Sequence, residues 1–250
     1  MRNKEDRNED VMRDATVVAV FGTKGGTGKT TFAVNYAMSL QDIGKKVLLV
    51  DLDLQFGDVG VFLDIPKFET ISDLVTDGDF SLENVNTYLF KHKSGMQVMC
   101  APNSPEFAEL VKPDHISMIV DVLRNEFDYI IFDLGPTIDE TSLQAVDICN
   151  DICFIITPDI SSLKNAKVCL KVLDTLGLTG KVKLILNKDG SSDIKAKDME
   201  AALGVGMNLT IPFDAKSAIA SVNRGIPIVT AAPKSKVSKV IKDFAEQGSK

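Results

Sequence analysis

From Thr16 onward the chain alternates short apolar runs with longer stretches of helical periodicity. Thr16–Phe21, Lys46–Val50, Gln97–Ala101, Tyr129–Phe132, Ile152–Ile156 and Val182–Leu186 are apolar almost throughout. Runs of that kind predict strands covered on both faces. Leu209–Ile211 adds a short last strand. After the first run, Phe32, Ala33, Tyr36, Ala37 and Leu40 recur at helical spacing and Gly44 stops the pattern, which predicts a helix over Thr30–Ile43. Further helices are expected at about 114–126, 139–148, 162–176, 195–203, 215–223 and 235–247. Strand–helix alternation implies right-handed crossovers and a doubly wound, mostly parallel α/β sheet. A single domain over residues 15–250 is expected. Residues 1–14 are almost all polar and read as a disordered tail or linker, because they cannot bury enough apolar surface to order themselves.

Composition narrows the function. The 250 residues are 44% hydrophobic and 25% charged, which fits a globular chain. No apolar run reaches the ~18 residues of a membrane helix, and no secretion signal opens the chain. A cytoplasmic location is expected. The net charge of −7 argues against general nucleic-acid binding. The charge is uneven, however. Residues 1–149 hold 13 basic and 25 acidic side chains, whereas 150–250 hold 15 and 10. The four cysteines lack the partner spacing of a zinc site and read as small core residues.

In a doubly wound sheet, ligands bind beyond the carboxyl ends of the strands. After the first strand stands Gly22-Thr23-Lys24-Gly25-Gly26-Thr27-Gly28-Lys29-Thr30-Thr31. Glycines let backbone N–H groups turn inward around an anion, and the following helix N-terminus adds positive dipole. Lys29 can reach the β- and γ-phosphates, and the Thr30 hydroxyl can ligate Mg²⁺. The dinucleotide fingerprint fails, and Thr23 stands where the usual phosphate loop has glycine. After the second strand, alternation turns Asp51 and Asp53 the same way, as a pair suited to Mg²⁺ and to orienting a water. Asp133 ends an apolar strand, the arrangement that holds Mg²⁺ through water, and the Gly135 N–H could touch a γ-phosphate. Asn187 has the donor and acceptor for an adenine edge and is equally suited to a turn.

The Lys-Gly-Gly-x-Gly-Lys-Thr-Thr form resembles the deviant phosphate loop of the MinD/ParA ATPases. The resemblance implies a P-loop fold, ATP and Mg²⁺ as cofactors, and slow ATP hydrolysis. It makes Lys24 a signature lysine that reaches the partner's ATP in a homodimer formed on ATP. It makes Asp53 the residue that polarises water and Asp51 a metal-shell or lysine-holding group. It puts Asn187 with the Ile211-Pro212-Phe213-Asp214 loop in the base pocket. More particular motifs resemble the CpaE/TadZ branch, which positions tight-adherence (Flp) pilus assembly: Asp51-Leu52-Asp53-Leu54-Gln55-Phe56-Gly57-Asp58-Val59-Gly60, Ala101-Pro102-x-Ser104-Pro105-Glu106, Thr157-Pro158-Asp159 and Asn223-x-Gly225-x-Pro227. That branch implies a protein partner in a pilus assembly and a polar or membrane-face location through partners. It often carries an upstream receiver-like domain. DNA partitioning of ParA type, septum-site positioning of MinD type, and a small-molecule phosphotransferase are the alternatives. The stretch Ser235–Gln247 is amphipathic and basic. It reads as a closing helix docked on the sheet, with peripheral membrane contact as the other possibility.

Overall fold

The structure is a computed structural model that describes residues 14–249. Most of the expected tail, residues 1–13, lies outside the described residues. Its last residue, Asp14, is tied to Arg124 at 3.5 Å.

Eight strands form one sheet: β1 (Thr16–Phe21), β2 (Val47–Leu52), β3 (Phe90–Lys91), β4 (Gln97–Met99), β5 (Tyr129–Leu134), β6 (Asp151–Ile156), β7 (Val182–Asp189) and β8 (Leu209–Pro212). Their order is β3-β4-β2-β5-β1-β6-β7-β8. Among the described residues, every pairing is parallel except β3 with β4. The helices are α1 (Lys29–Asp42), α2 (Val59–Phe62), α3 (Ile71–Asp77), α4 (Leu82–Thr87), α5 (Pro113–Leu123), α6 (Glu140–Ile148), α7 (Ile160–Thr175), α8 (Ala196–Leu203), α9 (Ala215–Arg224), α10 (Ile228–Ala231) and α11 (Lys236–Gly248). Two 3₁₀ segments span Pro105–Leu110 and Thr179–Lys181.

Alternation within each strand divides the core in two. Val17, Ala19 and Phe21 of β1 pack with Ile130, Phe132 and Phe154 beneath α5, α6, α7 and α8. Val18 and Val20 pack with Leu49, Ile131 and Ile155 beneath α1 and α11. The doubly wound, mostly parallel single-domain fold is therefore as expected. The stretch from Ser235 closes the fold: Val237, Ile241 and Ala245 are buried on the second face, and Phe244 packs on Phe32 and Tyr36. Its apolar stripe is used within the molecule. No helix among the described residues is long and apolar enough to cross a membrane. Of the cysteines, Cys149, Cys153 and Cys169 are buried and Cys100 is half-buried.

Among the strand ends that differ from expectation, three matter most for the site. β2 runs on to Leu52, β5 to Leu134 and β7 to Asp189. Each continues because its polar residues still pair through the backbone: Asp51 stands in register with Asp133, and Asp189 with Pro212. Asp51, Asp133 and Asn187 thus lie within strands and are held by the sheet. The segment 57–92 holds α2, α3, α4 and β3, which periodicity did not resolve. α3 begins at a Thr-x-x-Asp cap, where the Thr70 N–H donates to Asp73 at 2.8 Å.

Candidate nucleotide site

The glycine-rich loop joins β1 to α1. Gly26 and Gly28 have φ of 72° and 95°, in the left-handed region that glycine occupies without strain. Helix α1 starts directly at Lys29 with no side chain capping it, so its first N–H groups remain available to an anion. The loop floors a cavity of about 1030 Å³, lined also by Asp53, Asp58, Gly135, Asn187, Pro212 and Asp214. The volume is at the upper end for small-molecule sites.

Lys29 is 7% exposed. Burial lowers its proton affinity, while Asp133 and then Asp53 pull it back up. Lys24, five residues earlier, does not line the cavity. Its ammonium lies 3.1 Å from Asp159 and its side chain is 43% exposed. Asp159 caps α7 by accepting the Ser162 N–H and also accepts the Thr157 hydroxyl. Burial works against the Asp159 charge, but these donors and Lys24 outweigh it and hold the carboxyl below its usual range.

The carboxylates part company. Asp51 is fully buried and accepts N–H groups from Asp53 at 3.2 Å and Val59 at 3.0 Å. It is turned toward the loop after β2 and does not line the cavity. Only glycine fits at position 57, because a Cβ there would lie 2.5 Å from the Asp51 carboxylate. Asp53, beyond the end of β2, does line the cavity and faces Gly135. The expectation that alternation turns the two the same way is thus corrected: the strand ends between them. Asp133 is also fully buried, and neither of its carboxylate oxygens finds a partner of hydrogen-bond geometry. Burial raises its proton affinity. The Thr30 hydroxyl and Lys29 ammonium oppose this, and Asp53 and Asp58 add to it. Burial likewise raises Asp51, with Asp133 as the next cause.

A divalent cation fits Asp133, whose two oxygens are orphaned and buried beside Thr30. Mg²⁺ keeps several waters and takes few protein ligands. Among the described residues no group of three or more His, Cys, Asp or Glu side chains forms a metal cluster.

At the far wall, the Asn187 amide nitrogen donates to Thr27 O at 2.7 Å and its oxygen accepts the Lys188 N–H at 2.9 Å. Asp214 caps α9 through Ser217, whose hydroxyl and N–H hold its carboxyl below the usual range. Pro212 and the half-exposed Phe213 stand beside it in the cavity wall. Thr27 is buried behind the loop, whereas Gly25, Thr30 and Thr31 face the cavity. Sequence reasoning gave no role to many of the lining residues, among them two charged ones, Asp58 and Lys188. Asp58, whose carboxyl is raised by burial and by Asp53, lay unremarked in the Asp51–Gly60 motif. Lys188 carried no sequence signal, since its place depends on a backbone turn at the end of β7.

A family model described as an AAA domain matches residues 15–185. The chain belongs to the MinD/ParA-type ATPases. The septum site-determining protein MinD of Thermotoga maritima is 28% identical over 241 residues, covering 92% of this chain and 87% of that protein. The crystal structure of a ParA family ATPase from Chlorobium tepidum superposes with a TM-score of 0.87 at 26% identity, covering 94% of this chain and 98% of that one. The cell division ATPase MinD of Pyrococcus furiosus gives 0.82 at 26% identity, covering 93% and 98%. As a MinD/ParA-type ATPase, the chain is an ATP hydrolase of the P-loop class.

Proposed function

We propose that this MinD/ParA-type ATPase is a Mg²⁺-dependent switch. ATP joins two copies face to face, hydrolysis separates them, and the dimer positions a protein assembly at one place in the cell. The observation carrying this reading is the separation of the two lysines. Lys29 lines the cavity and serves the phosphates of its own site. Lys24 is half-exposed on the outer side of the same loop, where a second copy could receive it.

Within each site, the Thr31, Lys29 and Gly28 region binds the phosphates, and Thr30 with Asp133 would hold Mg²⁺. When bound, Mg²⁺ neutralises charge on the phosphate oxygens. Asp51 supports this site indirectly by fixing the loop that carries Asp53 and Asp58. Asp53 orients the attacking water and holds its proton. Lys24 of the other copy adds positive charge as charge develops on the transferred group. Pro212, Phe213 and the aliphatic parts of α9 enclose the base.

The assembly we favour is the tight-adherence pilus, supported by the Asp51–Gly60, Ala101–Glu106 and Thr157–Asp159 motifs. The partner is then a pilus protein met at the cytoplasmic face of the membrane. The domain reading stays as proposed, with the ATPase over 15–250 and a tail before it. Septum-site positioning is the second reading, favoured by the MinD proteins among the relatives. Deleting the gene separates the two: loss of pili with normal division supports the first, and minicells with intact pili support the second.

Light scattering with ATP and Mg²⁺ tests the switch. The parent is expected to dimerise, and Lys24→Ala to bind ATP as a monomer and hydrolyse it poorly. An ATP-dependent dimer undiminished by the substitution, with parental turnover, removes the role given to Lys24. Partitioning on DNA is tested by gel shift on random duplex at low salt with ATP, where no shift is expected.

A further inference from the structure

The end of β7 reaches the phosphate loop with two consecutive side chains. Asn187 donates to Thr27 O at 2.7 Å, and the Lys188 ammonium donates to Gly26 O at 2.6 Å. The Asn187 oxygen in turn accepts the Lys188 N–H. In regular strand, neighbouring side chains point to opposite faces and could not address one loop. Lys188 escapes this because its φ is 60°, in the left-handed region that a lysine rarely adopts. The pairing of β7 with β8 shifts register at the same place. The loop matches from its side: a Cβ on Gly28 would lie 2.3 Å from the Asn187 nitrogen, so the approach requires glycine.

We propose that Lys188, together with Asn187, is a positioning clamp that pre-forms the phosphate loop as an anion site, and that Lys188 thereby governs affinity for the phosphate chain and leaves base choice alone. The inference rests on the ATP-binding reading above and deepens it. The described peptides are all trans. In a trans peptide the carbonyl and the following N–H point in opposite directions. Holding Gly26 O and Thr27 O toward β7 therefore turns the Thr27 and Gly28 N–H groups away from it, to join the free N–H groups at the start of α1 in one cradle. Without the clamp, the peptides between the flexible glycines could flip, and each flip would offer a phosphate a carbonyl oxygen in place of a donor. The same geometry redefines Asn187. Its nitrogen is engaged with the loop and its oxygen with Lys188, so it supports the nucleotide site through the loop.

Calorimetry with ATP, ADP and GTP on the parent, Lys188→Ala, Lys188→Gly and Lys188→Arg tests this. Losing one charge-assisted hydrogen bond to the loop is expected to weaken ATP and ADP alike by about tenfold in the Ala and Gly variants, with the ATP-to-GTP ratio unchanged. Lys188→Arg, which keeps charge and donor, should recover most of the affinity. Lys188→Gly also relieves the left-handed strain, so its melting temperature without nucleotide should equal or exceed the parent's, which separates loss of the clamp from loss of the fold. ATP affinity undiminished in Lys188→Ala and Lys188→Gly overturns the clamp. A changed ATP-to-GTP ratio overturns it too, by making Lys188 a base reader. A parent that binds no ATP sinks the nucleotide reading itself, an outcome distinct from both.

Discussion

Asp51 and Asp133 stand opposite one another on adjacent parallel strands, both fully buried, yet their surroundings are opposite. Asp51 is satisfied by two backbone N–H groups of the loop it braces. Asp133 is satisfied by none, with only Thr30 and Lys29 near enough to temper its charge. Identical residue types in register, in the same sheet, thus do different things. A buried carboxylate that has its donors maintains a loop. One that lacks them carries a desolvation cost in the folded state that a cation would relieve.

The strongest test of this contrast removes the cation nearest Asp133. Lys29→Ala should abolish measurable ATP binding, a loss on the order of a thousandfold, because the phosphates lose their buried cation and Asp133 loses its counter-charge. Calorimetry reads it directly, and unchanged affinity would end the phosphate-loop assignment.

Asp53 sharpens the comparison from outside the strand, since it lines the cavity that Asp51 does not. Asp53→Ala should retain ATP and slow single-turnover hydrolysis by roughly a hundredfold, the usual scale for a lost general base. Parental turnover would show that another group orients the water.

The two strand carboxylates should respond to neutralisation with opposite signs. Asp51→Asn keeps the shape but cannot accept from both loop N–H groups, and should lower stability by about 2 kcal/mol. Asp133→Asn removes a buried charge that Lys29 and Thr30 only partly offset, and should raise the stability of the nucleotide-free protein by about 1 kcal/mol while impairing Mg²⁺-dependent turnover. Urea titrations of both variants decide the matter; a matching sign would dissolve the contrast.

The smallest effect is in pH. Burial pushes the Asp133 carboxyl up to about 7, so between the ordinary aspartate value of about 3.9 and about 7 the folded chain binds more protons than the unfolded one. This group therefore contributes stability at acid pH that is lost as the pH rises through that window. Melting of the nucleotide-free parent should show the loss, and Asp133→Asn should show less of it.

The layout of the fold was legible in the sequence because buried parallel strands are nearly continuous apolar runs, and the phosphate loop because glycines, lysine and threonine follow one of them. Boundaries at polar residues were not. Asp51, Asp133 and Asn187 looked like the first residues after their strands, but backbone pairing carries the strands past them. The 57–92 segment was opaque because its helices are short and take their stability from packing against the rest. The fate of Asn187 and Lys188 was invisible for a different reason: it depends on one left-handed backbone angle that no local pattern announces.

The edges of the sheet carry a consequence for how copies of the chain can meet. At one edge β3 has two residues and ends on the exposed Lys91; at the other, β8 has four and ends on Pro212, which has no N–H to offer. Edges so short and so blunted give an incoming strand little to extend. Growth by adding sheet to sheet is disfavoured at both ends. Any contact between copies would therefore run through side chains on the faces and loops, which leaves the backbone ladder of each copy undisturbed.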